Sequence, residues 1–176
     1  MSRLSLYIPK FEELNYEKKL LQDKDTMSYN KGYDISSVGY DKKSGCIYHP
    51  QSYWISWYDK YMHSENYFFA YLFLEDEGVF VGDVNFHPSS FDQSWHDIGI
   101  LIESKYRGRG FSKEGLSLLI DYAFEVRNCL ILHNYFEETR TSAVKIHRDL
   151  GFKQVDTSKD FLHFILAKED YKKEEY

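Results

Sequence analysis

The sequence is short of the residues that staple or interrupt a chain: 2 Cys and 3 Pro in 176 residues. Two thiols, Cys46 and Cys129, do not make a disulfide-built scaffold, and their spacing fits no zinc motif, so no metal site is expected. Prolines stand only at 9, 50 and 88, and no Gly/Ser-rich run or internal repeat marks a linker. A single domain over residues 1–170 is therefore expected, followed by a charged tail, 171–176, expected to fray. No stretch approaches the ~20 apolar residues of a membrane span. The opening segment MSRLSLYIPKFEEL lacks the apolar core of a secretion signal, so a cytoplasmic location with no membrane partner is expected. Positive charge is also scarce: 22 Lys and Arg against 28 Asp and Glu, a net of -6. That balance argues against a nucleic-acid partner, whose phosphates call for a basic surface.

What the chain does have is aromatic and apolar mass, with 16 Tyr, 13 Phe and 43% hydrophobic residues, enough for a core and too much for a disordered chain. Strand-like alternation marks 4–8, and a loosely periodic helix follows at 11–21. Residues 23–45 are polar and irregular, with room for a helical turn. Helix 51–62 is better defined: Trp54, Trp57, Tyr58 and Tyr61 fall at i, i+3, i+4, i+7, and Pro50 suits the first helical position. Strands at 67–74, 79–86 and 95–102, joined by short turns, predict an antiparallel meander. Helix 112–126 carries Leu116, Leu119, Ile120 and Ala123 on one face, with Ser112 as its expected N-cap. Strand 129–136, helix 141–150 ending at Gly151, and strands 152–155 and 161–167 complete an α/β (α+β) order.

One segment departs from the acidic total. Residues 105–113 hold Lys105, Arg107, Arg109 and Lys113 and no acid. Gly108 and Gly110 allow a turn in which successive backbone N–H groups face one concavity, and the following helix adds the positive end of its dipole. This predicts an anion site, most naturally for phosphate. The run lacks the third glycine of a dinucleotide-binding fingerprint and the Gly-Lys-Ser/Thr of a P-loop.

Arg107-Gly-Arg-Gly-Phe-Ser112 closely resembles the pyrophosphate loop of the GNAT N-acetyltransferase superfamily. The resemblance extends from Asp97 through the strand before the loop, and to the later helix ending in Gly151-Phe152. It is most similar to the branch that includes ribosomal-protein N-terminal and small-molecule amine acetyltransferases. The resemblance implies a mixed, largely antiparallel central sheet of about six or seven strands flanked by about four helices. It implies acetyl-CoA as cofactor, with CoA as product. Ile100, Leu101 and Ile102 would offer backbone bonds to the pantetheine arm, and Arg107, Gly108, Arg109, Gly110, Phe111 and Ser112 would cradle the pyrophosphate. Asn134 would bond substrate or thioester, or serve as a strand Asn. Arg140 stands where the family usually has Asn; it and Lys145 either reach a CoA phosphate or are solvated helix charges.

Acetyl transfer to an amine needs a group to take a proton, an N–H donor for the developing oxyanion, and an acid for the departing sulfur. Asp97 is the first candidate base, with a substrate-binding carboxylate as the alternative. His147 is a candidate acid as an imidazolium, or else a hydrogen-bonded core His; Tyr135 is the fallback acid. Cys129 reads as a small buried hydrophobe rather than a nucleophile.

Residues 66–104 carry seven acids and no Lys or Arg. Beside the basic loop, that division predicts an anionic cofactor meeting a cationic acceptor. The expected function is acetyl transfer to a primary amine, on a small molecule or a protein N-terminus. A catalytically silent acyl-CoA sensor is the alternative, and a homodimer is a further expectation.

Overall fold

The computed structural model describes residues 3–158 and 161–172. Seven strands form one sheet in the order β1-β2-β3-β4-β5-β7-β6. They are β1 (Leu4–Tyr7), β2 (Phe68–Leu74), β3 (Val79–Pro88), β4 (Trp95–Ile102), β5 (Ile131–Glu137), β6 (Lys153–Ser158) and β7 (Phe161–Ala167). Four α-helices accompany them: α1 (Asn15–Gln22), α2 (Gln51–His63), α3 (Phe111–Asp121) and α4 (Thr141–Asp149). The expected sheet and helix count are thus observed. Every strand pair is antiparallel except β4 with β5. Among the described residues no helix is long and apolar enough to cross a membrane.

Alternation divides the sheet into two unlike faces. Val84 and Phe86 of β3, Ile98 and Ile102 of β4, Leu132 and Phe136 of β5 and Phe164 of β7 pack with Phe111, Leu116, Leu119 and Phe124 into the main core. Each fully buried Phe contributes about 1.5–3 kcal/mol by leaving water. The alternate residues, among them Asp83, Asn85, Asp97, Leu101, His133 and His163, belong to the other face. There Leu20, Met27, Cys46 and Leu101 form a smaller cluster under α1.

Several boundaries differ from the sequence reading for identifiable reasons. The N-cap of α3 is Gly110, not Ser112: its φ of 86° turns the chain two residues earlier and leaves Ser112 inside the first turn. Pro50 flanks α2 as its N-cap rather than opening it. The helix expected over 11–21 starts as the tight turn Phe11–Leu14 before α1, and α3 gives way to a π-helical turn at Tyr122–Val126. The beginning of the charged tail is anchored. The Tyr171 ring lies 5.2 Å from Phe124 and its hydroxyl bonds Asp121; residues 173–176 lie outside the described residues. Both cysteines are buried and free, and burial pushes the Cys129 thiol up to about 11, an unreactive state.

Gly82 is where β3 passes closest to β4. A Cβ there would lie 2.0 Å from the Leu101 carbonyl oxygen and 3.0 Å from Ile102 Cα, both backbone atoms that cannot swing aside. Gly82→Ala is therefore expected to cost about 2–4 kcal/mol. Urea unfolding monitored by circular dichroism checks this; an unchanged midpoint would show that the two strands part freely.

Candidate active site

Strands β4 and β5 pair in parallel over only three positions: Trp95 with Ile131, His96 with Leu132, and Asp97 with His133. Beyond Asp97 and His133 they part, and the edge of β4 toward Ile102 is left without a strand partner. A cleft of about 410 Å³ opens in the gap, lined by Ile100, Leu101, Ile102, Arg107, Ser112, Arg140 and His147 among others. Its floor is apolar and its far end is the start of α3. Unpaired backbone groups along such an edge seek a polar extended ligand.

The loop at that end is built by left-handed glycines, Gly108 at φ 77° and Gly110 at 86°. Its cations mostly brace the protein. Arg107 donates through Nε to the Ile102 carbonyl (3.3 Å) and through Nη1 and Nη2 to the carbonyls of Asp25 (3.2 Å) and Thr26 (2.5 Å). Arg109 pairs with Glu77 at 2.6 Å, and Lys105 with Glu103 at 3.2 Å. Phe111 is buried in the core. An anion at this loop would therefore be met chiefly by backbone N–H groups and the helix dipole, the groups on which the sequence reading rested the site.

The other expected cofactor residues divide. Arg140 lines the cleft, paired with Glu137 at 2.5 Å and lying over the rings of Tyr29 and Tyr33. Lys145 is not in this cleft; it pairs with Asp149 at 2.7 Å beside a separate surface hollow. Asn134 donates through Nδ2 to His147 Nε2 at 3.0 Å, while His147 Nδ1 donates to the Ala143 carbonyl at 2.8 Å, the protons being assigned from these partners.

That pairing corrects the expectation of an imidazolium at His147. Burial lowers its pKa to about 4, against a smaller upward pull from Ala143. The ring is neutral at physiological pH and holds Asn134 in place instead of supplying an acid.

On the opposite face, Asp97 Oδ1 accepts from His133 Nδ1 at 2.6 Å, and His133 Nε2 meets His163 Nδ1 at 3.1 Å. Burial raises the Asp97 pKa, but bonds from His133 and Ser89 outweigh it and hold the carboxyl below its usual range. Asp97 is thus a settled anion rather than a poised base. His133 is fully buried, whereas His163 borders a second cleft of about 490 Å³ with Phe91, Trp95, Tyr135 and Phe161. Tyr135 stacks on His163 with ring centroids 5.6 Å apart. The three-residue chain escaped the sequence reading, because Asp97, His133 and His163 meet only once β5 lies between β4 and β7. No group of His, Cys, Asp and Glu among the described residues could hold a metal ion.

The sheet is thus split between parallel strands, with an amide-rich turn and a helix start at the mouth of the split. The acetyltransferase (GNAT) domain matches residues 6–153, and the chain belongs to that family. Spermidine N(1)-acetyltransferase from Escherichia coli (strain K12) is 30% identical over 95 residues, which are 54% of this chain and 50% of the relative; its counterpart from Escherichia coli O157:H7 gives the same figures. The chain thus spans about half the length of the curated relatives it matches. Among solved structures, spermidine N-acetyltransferase from Vibrio cholerae in complex with CoA and spermine superposes with a TM-score of 0.75 at 15% identity, over 96% of this chain and 98% of that one. The GNAT-family acetyltransferase from Bacillus anthracis gives 0.67 at 15% identity, over 96% and 98%. At those identities the likeness shows the fold.

The neutral His147 makes a stability prediction. Between pH 6.5, its ordinary value, and about 4, the unfolded chain binds a proton that the folded ring refuses. Stability is therefore complete above pH 6.5 and falls as pH drops toward 4, by about 3 kcal/mol from this one residue. His147→Leu is expected to remove that part of the slope in chemical denaturation between pH 7 and 4.5; an unaltered slope would place the burden elsewhere.

Proposed function

We propose that the protein transfers the acetyl group of acetyl-CoA directly to a primary amine of a small cationic acceptor, an aliphatic polyamine first among the candidates. The observation that carries this reading is the cleft between the parting strands with an anion-binding turn at its end, on a chain of the acetyltransferase (GNAT) family. The Asp97–His133–His163 chain starts at the last paired positions and reaches the second cleft. Acetyl-CoA would supply the acyl group as a thioester. The β4 edge at Ile100, Leu101 and Ile102 would hold its pantetheine arm. The amides of the turn from Arg107 to Ser112 would face its pyrophosphate, with Arg140 beside the cleft mouth and Asn134 near the thioester.

The protein's chemistry is proton handling. Asp97 fixes His133 with its Nδ1–H toward the carboxylate, so His133 Nε2 accepts from His163 Nδ1–H. The vacant lone pair then lies on His163 Nε2, facing the second cleft. A proton taken from the amine by way of that cleft gives a cation that His133 and the Asp97 charge stabilise together. This moves the base from Asp97 to His163 and makes Asp97 a positioning residue. Tyr135, stacked on His163, is the donor proposed for the departing sulfur. The polyamine reading draws on the spermidine activity named for the Escherichia coli relatives and on the acidic residues of this face. The cytoplasm, where acetyl-CoA is made available to such enzymes, is the proposed compartment. A protein N-terminus and homodimerisation remain parts of the proposal open to the same assays, the latter by light scattering.

Thiol release measured over a panel of spermidine, butylamine, an amino sugar and a peptide N-terminus tests the activity. His163→Gln is expected to lower kcat/KM by about 10²-fold or more. Asp97→Asn should lower kcat/KM less than His163→Gln does, because it removes the bond that orients His133 and leaves the His163 imidazole in place. Thermal stabilisation by CoA should persist in both variants. Stabilisation without thiol release from any amine would favour an acyl-CoA sensor, and loss of the CoA response in the unmodified protein would remove the cofactor assignment.

A further inference from the structure

The face that carries Asp97 holds a second set of buried acids with no counter-cation. Glu17 of α1 is 6% exposed and Asp83 of β3 is 3% exposed. The two carboxyls are hydrogen-bonded to each other, and Asn85 bonds Asp83. Glu17 Oε2 and Asp83 Oδ2 have no hydrogen-bond partner, and among the described residues neither side chain takes part in an ion pair. Burial and mutual repulsion raise the pKa of Glu17, and burial raises that of Asp83. Two acids left in this condition cost stability, which a purely structural role does not explain.

Glu17 faces a cavity of about 160 Å³ whose walls are Tyr53, Trp54, Trp57, Tyr61, Phe69 and Asn85. Trp57 stacks on Tyr61 with centroids 4.6 Å apart and meets Phe69 edge-on at 4.8 Å, so the walls are braced against one another. At ~30 Å³ for a water-sized group, the cavity accepts about five heavy atoms. Aromatic faces around an unneutralised carboxyl suit an alkylammonium: the rings cover the methylenes and attract the cation, and the acid takes its charge.

The cavity adjoins the transfer site. Asn85 lies against Gly99 of β4, where an added Cβ would come within 2.7 Å of its side chain. Asp83, Asn85 and His87 are successive residues on this face of β3, and His87 lies opposite Asp97. From Asp83 to His87 is about 13 Å at ~3.3 Å per residue. We infer that the cavity faced by Glu17, with Asp83 behind it bonded to Glu17 and Asn85, is a pocket for a second, non-reacting ammonium group of the acceptor, selecting polyamines over monoamines. This rests on the amine-acetyltransferase reading above and deepens it. The titratable groups around the pair are Tyr16 of α1, Tyr29 of the turn Thr26–Asn30, His49 before α2, Tyr53 and Tyr61 of α2 and Tyr71 of β2. The nearby cation is Lys18, whose ammonium lies 5.6 Å from the Trp54 ring and bonds Gln51.

The test compares spermidine with butylamine in thiol release, and follows tryptophan fluorescence as spermidine is added without acetyl-CoA. Two of the three Trp, Trp54 and Trp57, border the cavity. Spermidine should change the emission of the unmodified protein and be preferred over butylamine in kcat/KM. In Glu17→Gln and Asp83→Asn the emission change should be lost and the preference should collapse at least tenfold. If either amide variant does not fold, Trp57→Leu, which removes a wall and leaves the acids intact, should weaken spermidine binding to a similar degree. Acetylation of spermidine with unchanged KM in folded variants, or with no emission change in the unmodified protein, overturns the pocket and leaves the acetyltransferase reading in place. Emission change without turnover of any amine overturns the acetyltransferase reading and leaves a polyamine-binding cavity.

Discussion

Two parallel strands that pair over three residues and then separate impose the rest of the molecule. Backbone groups freed by the separation must find partners, and side chains on both faces lose the neighbour a continuous sheet would give them. The response differs by face. On the α3 side the gap is walled by apolar residues, by Arg140, and by the neutral His147–Asn134 pair, which fixes β5 without placing a charge in the cleft. On the other side the last paired positions, Asp97 and His133, lock to each other at 2.6 Å. The closing point of the sheet and the start of the proton chain are the same contact.

The acid excess is managed unevenly, and that unevenness separates structure from chemistry. Glu103, buried, is neutralised by Lys19 and Lys105, and Glu77 by Arg109. Asp97 is held as an anion by hydrogen bonds from His133 and Ser89. Among the described residues, Glu17 and Asp83 are the acids that combine deep burial with a carboxyl oxygen lacking a hydrogen-bond partner. The aromatic helix α2, whose stripe resembles ordinary core packing, supplies the surface over those oxygens.

Much of the fold was legible because it is contiguous, and so was the turn proposed to meet the cofactor. The turn from Arg107 to Ser112, the periodic face of α3 and the Gly151-Phe152 ending are local patterns whose meaning survives without the sheet. Strand 95–102 and strand 161–167 were read at their observed limits for the same reason. The acceptor side was not legible. Asp97 meets His133 and His163 only because β5 lies between β4 and β7, an order no local pattern states. Glu17 did leave a signal: it falls three residues after Leu14 and three before Leu20, on the buried side of its helix. Its partner Asp83 sits inside an apolar strand 66 residues further on, with no sequence motif linking them, and only the packing joins the two. The misplaced cap of α3 has a similar origin, since a positive φ at Gly110 is invisible next to a good capping serine.

Arg107 gives the arrangement a mechanical character. Its guanidinium bridges the end of β4 and the turn Thr26–Asn30 across 3 carbonyl oxygens, those of Ile102, Asp25 and Thr26. The same turn carries Tyr29, which lines the cleft beneath Arg140. One side chain thus acts as a rivet between the end of β4 and the turn that carries Tyr29, so that the two walls of the cleft are tied to each other through a single guanidinium.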